Sequence, residues 1–132
     1  SKTKLLWPVQ YGFISSRFGK HPHPVLHNVM VENLGVDIQT KKEEKVRAVF
    51  DGTVMAVQEV VGMNTIIMLQ HQGGYYTFYA KLSKSFVKIG QKVKAKDMIG
   101  EVQPSEDGTA ELQFQIWKNS EKQDPEDWLS KR

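Results

Sequence analysis

Short runs of β-branched and aromatic residues, separated by glycine, asparagine, aspartate or proline, make up most of this 132-residue chain. Such runs predict β-strands, and no segment has the hydrophobic period of a long helix. We predict strands over residues 12–18, 34–39, 45–50, 52–60, 64–70, 75–82, 98–103 and 110–118. The sequences FDGT at 50–53 and HQGGYY at 71–76 predict hairpin turns. The sequence therefore predicts an all-β fold with a compact antiparallel sheet.

The predicted strand at 110–118 alternates cleanly between apolar and polar residues. Leu112, Phe114 and Ile116 point to one side, and Glu111, Gln113 and Gln115 point to the other. Histidines at positions 111 and 113 would form a His-x-His pair on one face, which is a common zinc-binding arrangement. The polar side of this strand is therefore the first candidate for a functional surface.

Length and composition limit the other possibilities. A chain of 132 residues is long enough for one domain with a core, which we assign to residues 1–132. The net charge is +3, with lysines and acids interleaved, so no basic stripe suggests nucleic-acid binding. There are no cysteines, which excludes disulfides and cysteine-based zinc sites. No apolar run is long enough to span a bilayer, so we expect no membrane contact by this domain itself.

The two ends of the chain suggest further expectations. The chain starts without methionine and without a signal peptide, and we expect it to be the C-terminal part of a longer exported protein. Asp124 and Pro125 predict a helical turn near the end, with Asp124 as its cap. Trp7 and Trp128 are expected to pack the two ends of the domain against each other.

Residues 19–33 read as a long loop that contains three of the four histidines. His21, His23 and His27 are an alternative metal cluster, although loop histidines are more often solvated or bonded to backbone. His71 is expected at the surface of a hairpin. The glycine rhythm of residues 87–102 also occurs in biotin and lipoate carriers, but no Lys-Met pair marks a hairpin tip here.

Several segments, in order, resemble the LytM or lysostaphin-like zinc endopeptidase family. ISSRFGKHPHPVL at 14–26 is similar to the opening I-S-S-x-F-G-x-R-x-H-P of that family. NLGVD at 33–37 stands where the family has His-x-G-x-Asp, YAKL at 79–82 where it has Tyr-Ala-His-Leu, and ELQFQIW at 111–117 where it has His-x-His. The resemblance implies a small all-β domain with a groove across its sheet.

Carried over residue by residue, the family's site is largely replaced in this chain. Asn33 and Gln113 stand at two histidine ligand positions, and Asp37 is the one ligand that is kept. Glu111 and Lys81 stand where the family has catalytic histidines. Neutral amides are poor zinc ligands, and an ammonium group repels a dication. We therefore expect no metal, no cofactor and no hydrolase activity.

A different use of the same positions is predicted instead. Strand alternation is expected to place Tyr75, Thr77, Tyr79 and Lys81 on one face of their strand. Lys81 is predicted to pair with Glu111 or Asp37 in the vacated metal pocket. The expected partner-binding groove comprises Tyr75, Tyr79, Lys81, Glu111, Gln113, Trp117, Asp37 and His23.

Degenerate members of this family include the EnvC-type murein hydrolase activators, which resemble the chain in lacking metal ligands. The resemblance implies a non-catalytic domain in the periplasm or cell envelope that binds a cell-wall amidase and relieves its autoinhibition. One alternative is a peptidoglycan-binding module without an enzyme partner. The other is a residual metallo-endopeptidase with an unusual ion.

Overall fold

The computed structural model describes residues 4–132, which form β-strands and two short 3-10 turns. The strands are β1 Phe13–Ser16, β2 Gly19–Pro22, β3 Met30–Asn33, β4 Val36–Lys41, β5 Lys45–Arg47, β6 Gly52–Val60, β7 Asn64–Gln70, β8 Tyr75–Ser85, β9 Lys92–Val93, β10 Met98–Val102, β11 Thr109–Lys118 and β12 Glu121–Gln123. The 3-10 turns are Gln72–Gly74 and Pro125–Asp127. The prediction of an all-β fold with an antiparallel sheet is confirmed.

One large sheet contains ten of the strands, and its main path runs β1-β4-β11-β8-β7-β6-β9. All pairings between these strands are antiparallel, and β10 bridges β5 and β8. Strands β2 and β3 form a separate hairpin beside it. The long strands β8 and β11 lie side by side in the centre, so their side chains form the middle of each face of the sheet.

The core lies on one side of this sheet. Ile38 of β4, Ile67 of β7 and Leu112 and Phe114 of β11 are completely buried there, as the apolar side of each strand requires. Alternation along β11 then directs Glu111, Gln113 and Gln115 to the opposite side. We call that side, between β4, β8 and the β2–β3 hairpin, the groove.

Most predicted strands are confirmed, and those at 52–60 and 64–70 have the predicted boundaries. The hairpin at 71–76 is also confirmed, with Gly73 and Gly74 both at a φ of +80°. The hairpin predicted at 50–53 is wrong. Strand β5 pairs with β10, while β6 pairs with β7 and β9, so residues 48–51 connect strands that are not partners.

Residues 19–33, predicted to be one long loop, contain the β2–β3 hairpin. Gly19 pairs with Asn33 and Pro22 with Met30. The proline-rich composition hid these short strands, since proline is tolerated only where its missing N–H is not needed. The hairpin carries exposed apolar side chains near its tip, including Val25, Leu26 and Met30.

The chain ends are held together, as expected from the two tryptophans. Leu5 forms a parallel bridge with Leu129, and the Trp7 indole N–H donates to the Ser130 carbonyl at 2.7 Å. The predicted turn near the end is confirmed as a 3-10 turn, with the Asp124 carboxylate accepting from the Glu126 N–H at 3.0 Å. No helix within residues 4–132 has the length and apolar character needed to cross a membrane.

Candidate functional site: a groove with replaced metal ligands

The groove side of β11 carries a chain of hydrogen-bonded amides. The Trp117 indole N–H donates to Gln115 Oε1 at 2.8 Å, and Gln115 Nε2 donates to Gln113 Oε1 at 3.0 Å. Both glutamines are almost fully buried, with exposures of 6% for Gln113 and 5% for Gln115. Their side chains lie along the strand because residues two apart project from the same face.

The orientation of these amides follows from the indole at one end. An indole N–H can only donate, so Gln115 must present its oxygen to Trp117 and its nitrogen to Gln113. Gln113 must then accept with its oxygen and direct its own nitrogen toward β4. The Gln113 amide thus presents its nitrogen, a hydrogen-bond donor, to β4 at the position that the resemblance assigns to an imidazole ligand.

Gln113 Nε2 donates to the Asp37 carboxylate and, at 3.2 Å, to Asn33 Oδ1. Asp37 lies directly opposite Gln113 in the β4–β11 register, which explains the close contact. Asn33 Oδ1 also accepts from the Gly35 N–H at 3.1 Å, while Asn33 Nδ2 donates to Ser16 Oγ at 3.1 Å. The structure thus brings Asn33, Asp37 and Gln113 together, as the resemblance implies, and their side chains bind one another.

The predicted ion pair between Lys81 and a groove carboxylate is confirmed. Lys81 Nζ lies 3.3 Å from Glu111 Oε1, and both side chains are about one-third exposed. The other Glu111 oxygen accepts from Ser15 Oγ at 3.0 Å. Lys81 has a φ of +68°, and its N–H and C=O bond the backbone of Met63 and Gln103.

The surroundings of Asp37 disfavour the ionised form of its carboxyl group. Burial raises its pKa above the usual value, and repulsion from Glu111 raises it further. Lys81 and the hydrogen bonds from Gln113 and Asn33 lower the pKa and partly offset these effects. Lys81, Gln113 and Asn33 therefore stabilise the ionised form of Asp37.

These residues do not fit the catalytic zinc ion of the endopeptidases. A zinc site needs about three nitrogen, sulfur or carboxylate ligands. Gln113 presents an amide nitrogen, Asn33 Oδ1 already accepts two hydrogen bonds, and the Lys81 ammonium lies beside the remaining carboxylate. Within the part of the chain that the structure describes, no three His, Cys, Asp or Glu side chains are arranged to hold a metal ion.

The predicted placement of two tyrosines in the groove is wrong. Tyr79 is completely buried on the core side, where its ring centroid lies 5.4 Å from that of Phe114. Tyr75 lies on the same side and contacts Trp128 edge-on at 5.2 Å. The left-handed backbone of Lys81 interrupts the alternation of β8, so Lys81 reaches the groove although Tyr79 faces the core.

The groove side of β8 is instead formed by Tyr76 and Phe78. Phe78 pairs with Gln115 and Tyr76 with Trp117, and both aromatic side chains are half-buried. Sequence reasoning missed them because it counted alternation back from Lys81. The register between β8 and β11, which only the structure gives, places them there.

Two predicted groove residues remain, Trp117 and His23. Trp117 is half-buried at one end, with Lys122 Nζ 5.8 Å from its ring centre. His23 lies in the connection after β2, where its Nδ1 accepts from the N–H groups of Val25 and Leu26 at 3.1 and 2.9 Å. His23 therefore shapes the hairpin through its turn.

Comparison with known proteins identifies the family. The sequence profile of Peptidase family M23 matches residues 31–125, which is more than half of the chain. The chain belongs to this family. The carrier alternative drawn from the glycine rhythm is therefore wrong.

Sequence relatives come from several bacteria. The chain is 33% identical over 93 residues to the DD-carboxypeptidase/endopeptidase Mpg of Neisseria meningitidis, covering 70% of this chain and 21% of the relative. It is 30% identical over 102 residues to the cell division protein DipM of Caulobacter vibrioides, covering 76% of this chain and 16% of the relative. The chain thus spans about a fifth of the length of these relatives.

Solved structures share the fold. The catalytic domain of the antimicrobial peptidase lysostaphin from Staphylococcus simulans superposes with a TM-score of 0.71 at 26% identity, covering 88% of this chain and 90% of that one. A chain of the SpoIIQ–SpoIIIAH pore-forming complex superposes with a TM-score of 0.81 at 23% identity, covering 98% and 93%. The same fold therefore occurs in a peptidase and in a complex between two proteins.

Proposed function

We propose that this domain is a non-catalytic member of the M23 family that binds a peptidoglycan (N-acetylmuramoyl-L-alanine) amidase through its groove and activates it during cell-wall remodelling and cell separation. The observation that carries the proposal is the hydrogen bond from the Gln113 amide nitrogen to Asp37, beside the Lys81–Glu111 pair. These groups lie at the position that the resemblance assigns to the metal, and they satisfy one another. In this proposal their mutual bonds hold the shape of the groove in place of an ion.

The activation mechanism is a shift between two states of the amidase. A regulatory segment that covers the amidase active site would leave it when the segment binds in the groove. The equilibrium moves no further than the difference in binding free energy allows. A segment with an apolar face suits this groove, because Tyr76 and Phe78 offer partly buried aromatic surface beside the polar floor.

Polar groups of the groove would contribute mainly specificity. Lys81, Glu111 and Asp37 present both charge signs within a small area. A partner that places like charges against them would bind less tightly, because like charges repel one another. Gln113 forms the floor and Trp117 one end of the proposed binding surface, and His23 stays a predicted member of it. Tyr76 and Phe78 take the place of Tyr75 and Tyr79 in the proposed binding surface.

Relatives support the setting of this proposal. DipM is a cell division protein, and SpoIIQ is found in a complex with another protein. Another relative is a lipoprotein, YgeR of Escherichia coli, with 32% identity over 85 residues. We therefore place the domain in the periplasm or cell envelope, with a protein as its partner.

The test mixes the purified domain with a cognate amidase and follows dye release from labelled sacculi. We expect stimulation by the wild type and at least about tenfold weaker stimulation by Lys81→Glu, since it places three carboxylates together. Lys88→Glu, at an exposed site outside the groove, is the matched control and should stimulate normally. Equal stimulation by both variants would move the binding site away from the groove.

The two alternative functions give different results in the same experiment. A peptidoglycan-binding module would pellet with sacculi and leave amidase activity unchanged. A residual endopeptidase would release cleaved muropeptides without added amidase and carry stoichiometric metal after purification. Either result would replace the activator proposal.

A further inference from the structure

A second hydrogen-bond chain lies on the core side of the sheet, away from the groove. His71 Nδ1 lies 2.7 Å from the Asp51 carbonyl oxygen, and His71 Nε2 lies 2.7 Å from Thr77 Oγ1. Thr77 Oγ1 in turn lies 2.8 Å from the Tyr79 hydroxyl, which accepts from the Val49 N–H at 3.2 Å. The chain begins and ends on residues 49–51, the connection that precedes β6.

The position of every proton in this chain follows from its two ends. A carbonyl oxygen only accepts, so His71 Nδ1 must carry a hydrogen, and in the neutral ring Nε2 must accept from Thr77. Thr77 has then used its one hydrogen and must accept from the Tyr79 hydroxyl. Tyr79, having donated, accepts from the Val49 N–H. With neutral His71, each donor has an acceptor.

Water cannot easily replace these bonds. Tyr79 and Val49 are buried, and Thr77 is 2% exposed, whereas His71 is half-buried. An apolar cavity of about 190 Å³ adjoins the chain and is lined by Val49, Phe50, Tyr75, Trp128 and neighbouring residues. Val49 and Phe50 therefore form one wall of this cavity. Segment 49–51 is attached to the sheet at both ends of the hydrogen-bond chain, through the Val49 N–H and the Asp51 carbonyl.

Few charged groups face His71. On its open side, a shallow surface depression is shared by Asp51, Lys92 and Lys94. The Asp51 carboxylate accepts from the Ala95 N–H at 2.8 Å, and it favours a charged imidazole only weakly. On the inner side His71 is faced by the phenols of Tyr75 and Tyr79 and, edge-on at 6.2 Å, by the Phe50 ring.

We propose that His71, Thr77 and Tyr79 form an acid-sensitive latch, which holds segment 49–51 on the sheet while His71 is neutral and releases it when His71 takes up a proton. A proton on Nε2 would have to be donated to Thr77. Thr77 would then turn its hydrogen toward Tyr79, whose oxygen would face two donors and whose own hydrogen would have no acceptor. A buried donor without a partner is strongly unfavourable, so the closed arrangement is lost.

The direction of the pH effect follows from burial, which lowers the pKa of His71 below its ordinary value. The released state has the ordinary value of about 6.5 and binds the proton first as the pH falls. The latch is therefore fully closed above that value and opens progressively below it. For one proton, the opening constant rises by at most about tenfold per pH unit.

Amide hydrogen exchange of Val49 in the whole chain tests the latch. After correction for the intrinsic exchange rate, we expect protection of Val49 to fall by up to about tenfold per pH unit below pH 6.5 in the wild type. His71→Gln should abolish this decline, because its amide can make the same two bonds but does not titrate. His27→Gln, at an exposed loop position, is the matched control and should behave as the wild type.

Two results would overturn the latch. One is a Val49 protection that declines equally in wild type and His71→Gln. The other is a nitrogen NMR spectrum of the intact chain that shows the hydrogen of neutral His71 on Nε2 rather than Nδ1. The second measurement needs no variant, so a folding defect in His71→Gln leaves the latch testable.

Discussion

Replacing Gln113 with methionine removes the central link of the groove amides while keeping an unbranched side chain of similar length. Four groups lose a partner: the Asp37 carboxylate, Asn33 Oδ1 and the Val36 carbonyl oxygen each lose a donor, and the nearly buried amide of Gln115 loses its acceptor. The losses at Asp37 and Gln115 are the largest, because one group is charged and the other is nearly buried. A hydrogen bond to a charged group contributes about 1.5–3 kcal/mol, and an unsatisfied buried amide costs about 1–3 kcal/mol. Burial of the apolar methionine side chain stabilises the variant by about 1 kcal/mol and offsets part of this loss.

The expected net loss in free energy of unfolding is about 2 kcal/mol at neutral pH. This value is near the low end of the sum of these contributions, because Asp37 is only half-buried. With a slope of about 1.5–2 kcal/mol per M, this moves the urea midpoint down by roughly 1 M. Tryptophan fluorescence reports the transition directly. Gln70→Met, at an exposed position of β7, is the control and should change the free energy by less than about 0.5 kcal/mol.

The pH dependence gives a second, independent signature. The pKa of Asp37 is higher in the folded state than in the unfolded state, so ionisation of Asp37 destabilises the fold. This destabilisation is fully present above the folded-state pKa. It disappears as the pH falls below the unfolded-state pKa. Loss of the Gln113 hydrogen bond raises the folded pKa further. The difference between Gln113→Met and wild type should therefore shrink as the pH is lowered from about 7 to about 4. A loss below about 0.5 kcal/mol, or an equal loss at both pH values, would refute this reasoning.

Three further predictions concern the same region. Gly35→Ala should reduce the free energy of unfolding by about 3 kcal/mol or more, measured by urea unfolding, because the new methyl carbon would lie 2.1 Å from the Phe114 carbonyl oxygen; a fully stable variant would show that β4 and β11 are not so close. Lys81→Gly should be about 1 kcal/mol more stable than Lys81→Ala, since only glycine relieves the left-handed backbone, and equal urea midpoints would argue against that strain. A variant combining Asn33→His, Lys81→His and Gln113→His should take up zinc in calorimetric titration while the wild type does not, because all three changes supply imidazole next to a retained carboxylate; zinc uptake by both proteins would contradict the proposed loss of the site.

Much of the site was predictable from the sequence because its chemistry is encoded by residue type. An amide or an ammonium group cannot ligate zinc as an imidazole does, so the residue types at Asn33, Gln113 and Lys81 carry this information wherever the chain places them. The Lys81–Glu111 pair was also predictable, since the resemblance to the endopeptidases places positions 81 and 111 in one pocket. His71 was predicted only to be a surface residue. Its partners Thr77 and Asp51 become its neighbours only when β7, β8 and the 48–51 connection assemble.

The sequence by itself determined the strand content and the apolar side of β11, because alternation with a period of two is a local property. It also determined that positions 33, 81 and 113 carry no imidazole. Only the tertiary structure decided which tyrosines face the groove, because one left-handed residue, Lys81, reverses the side to which the following side chains point. The direction of the amide chain likewise depends on Trp117 at its end, since a donor-only indole fixes the orientation of every amide bonded after it.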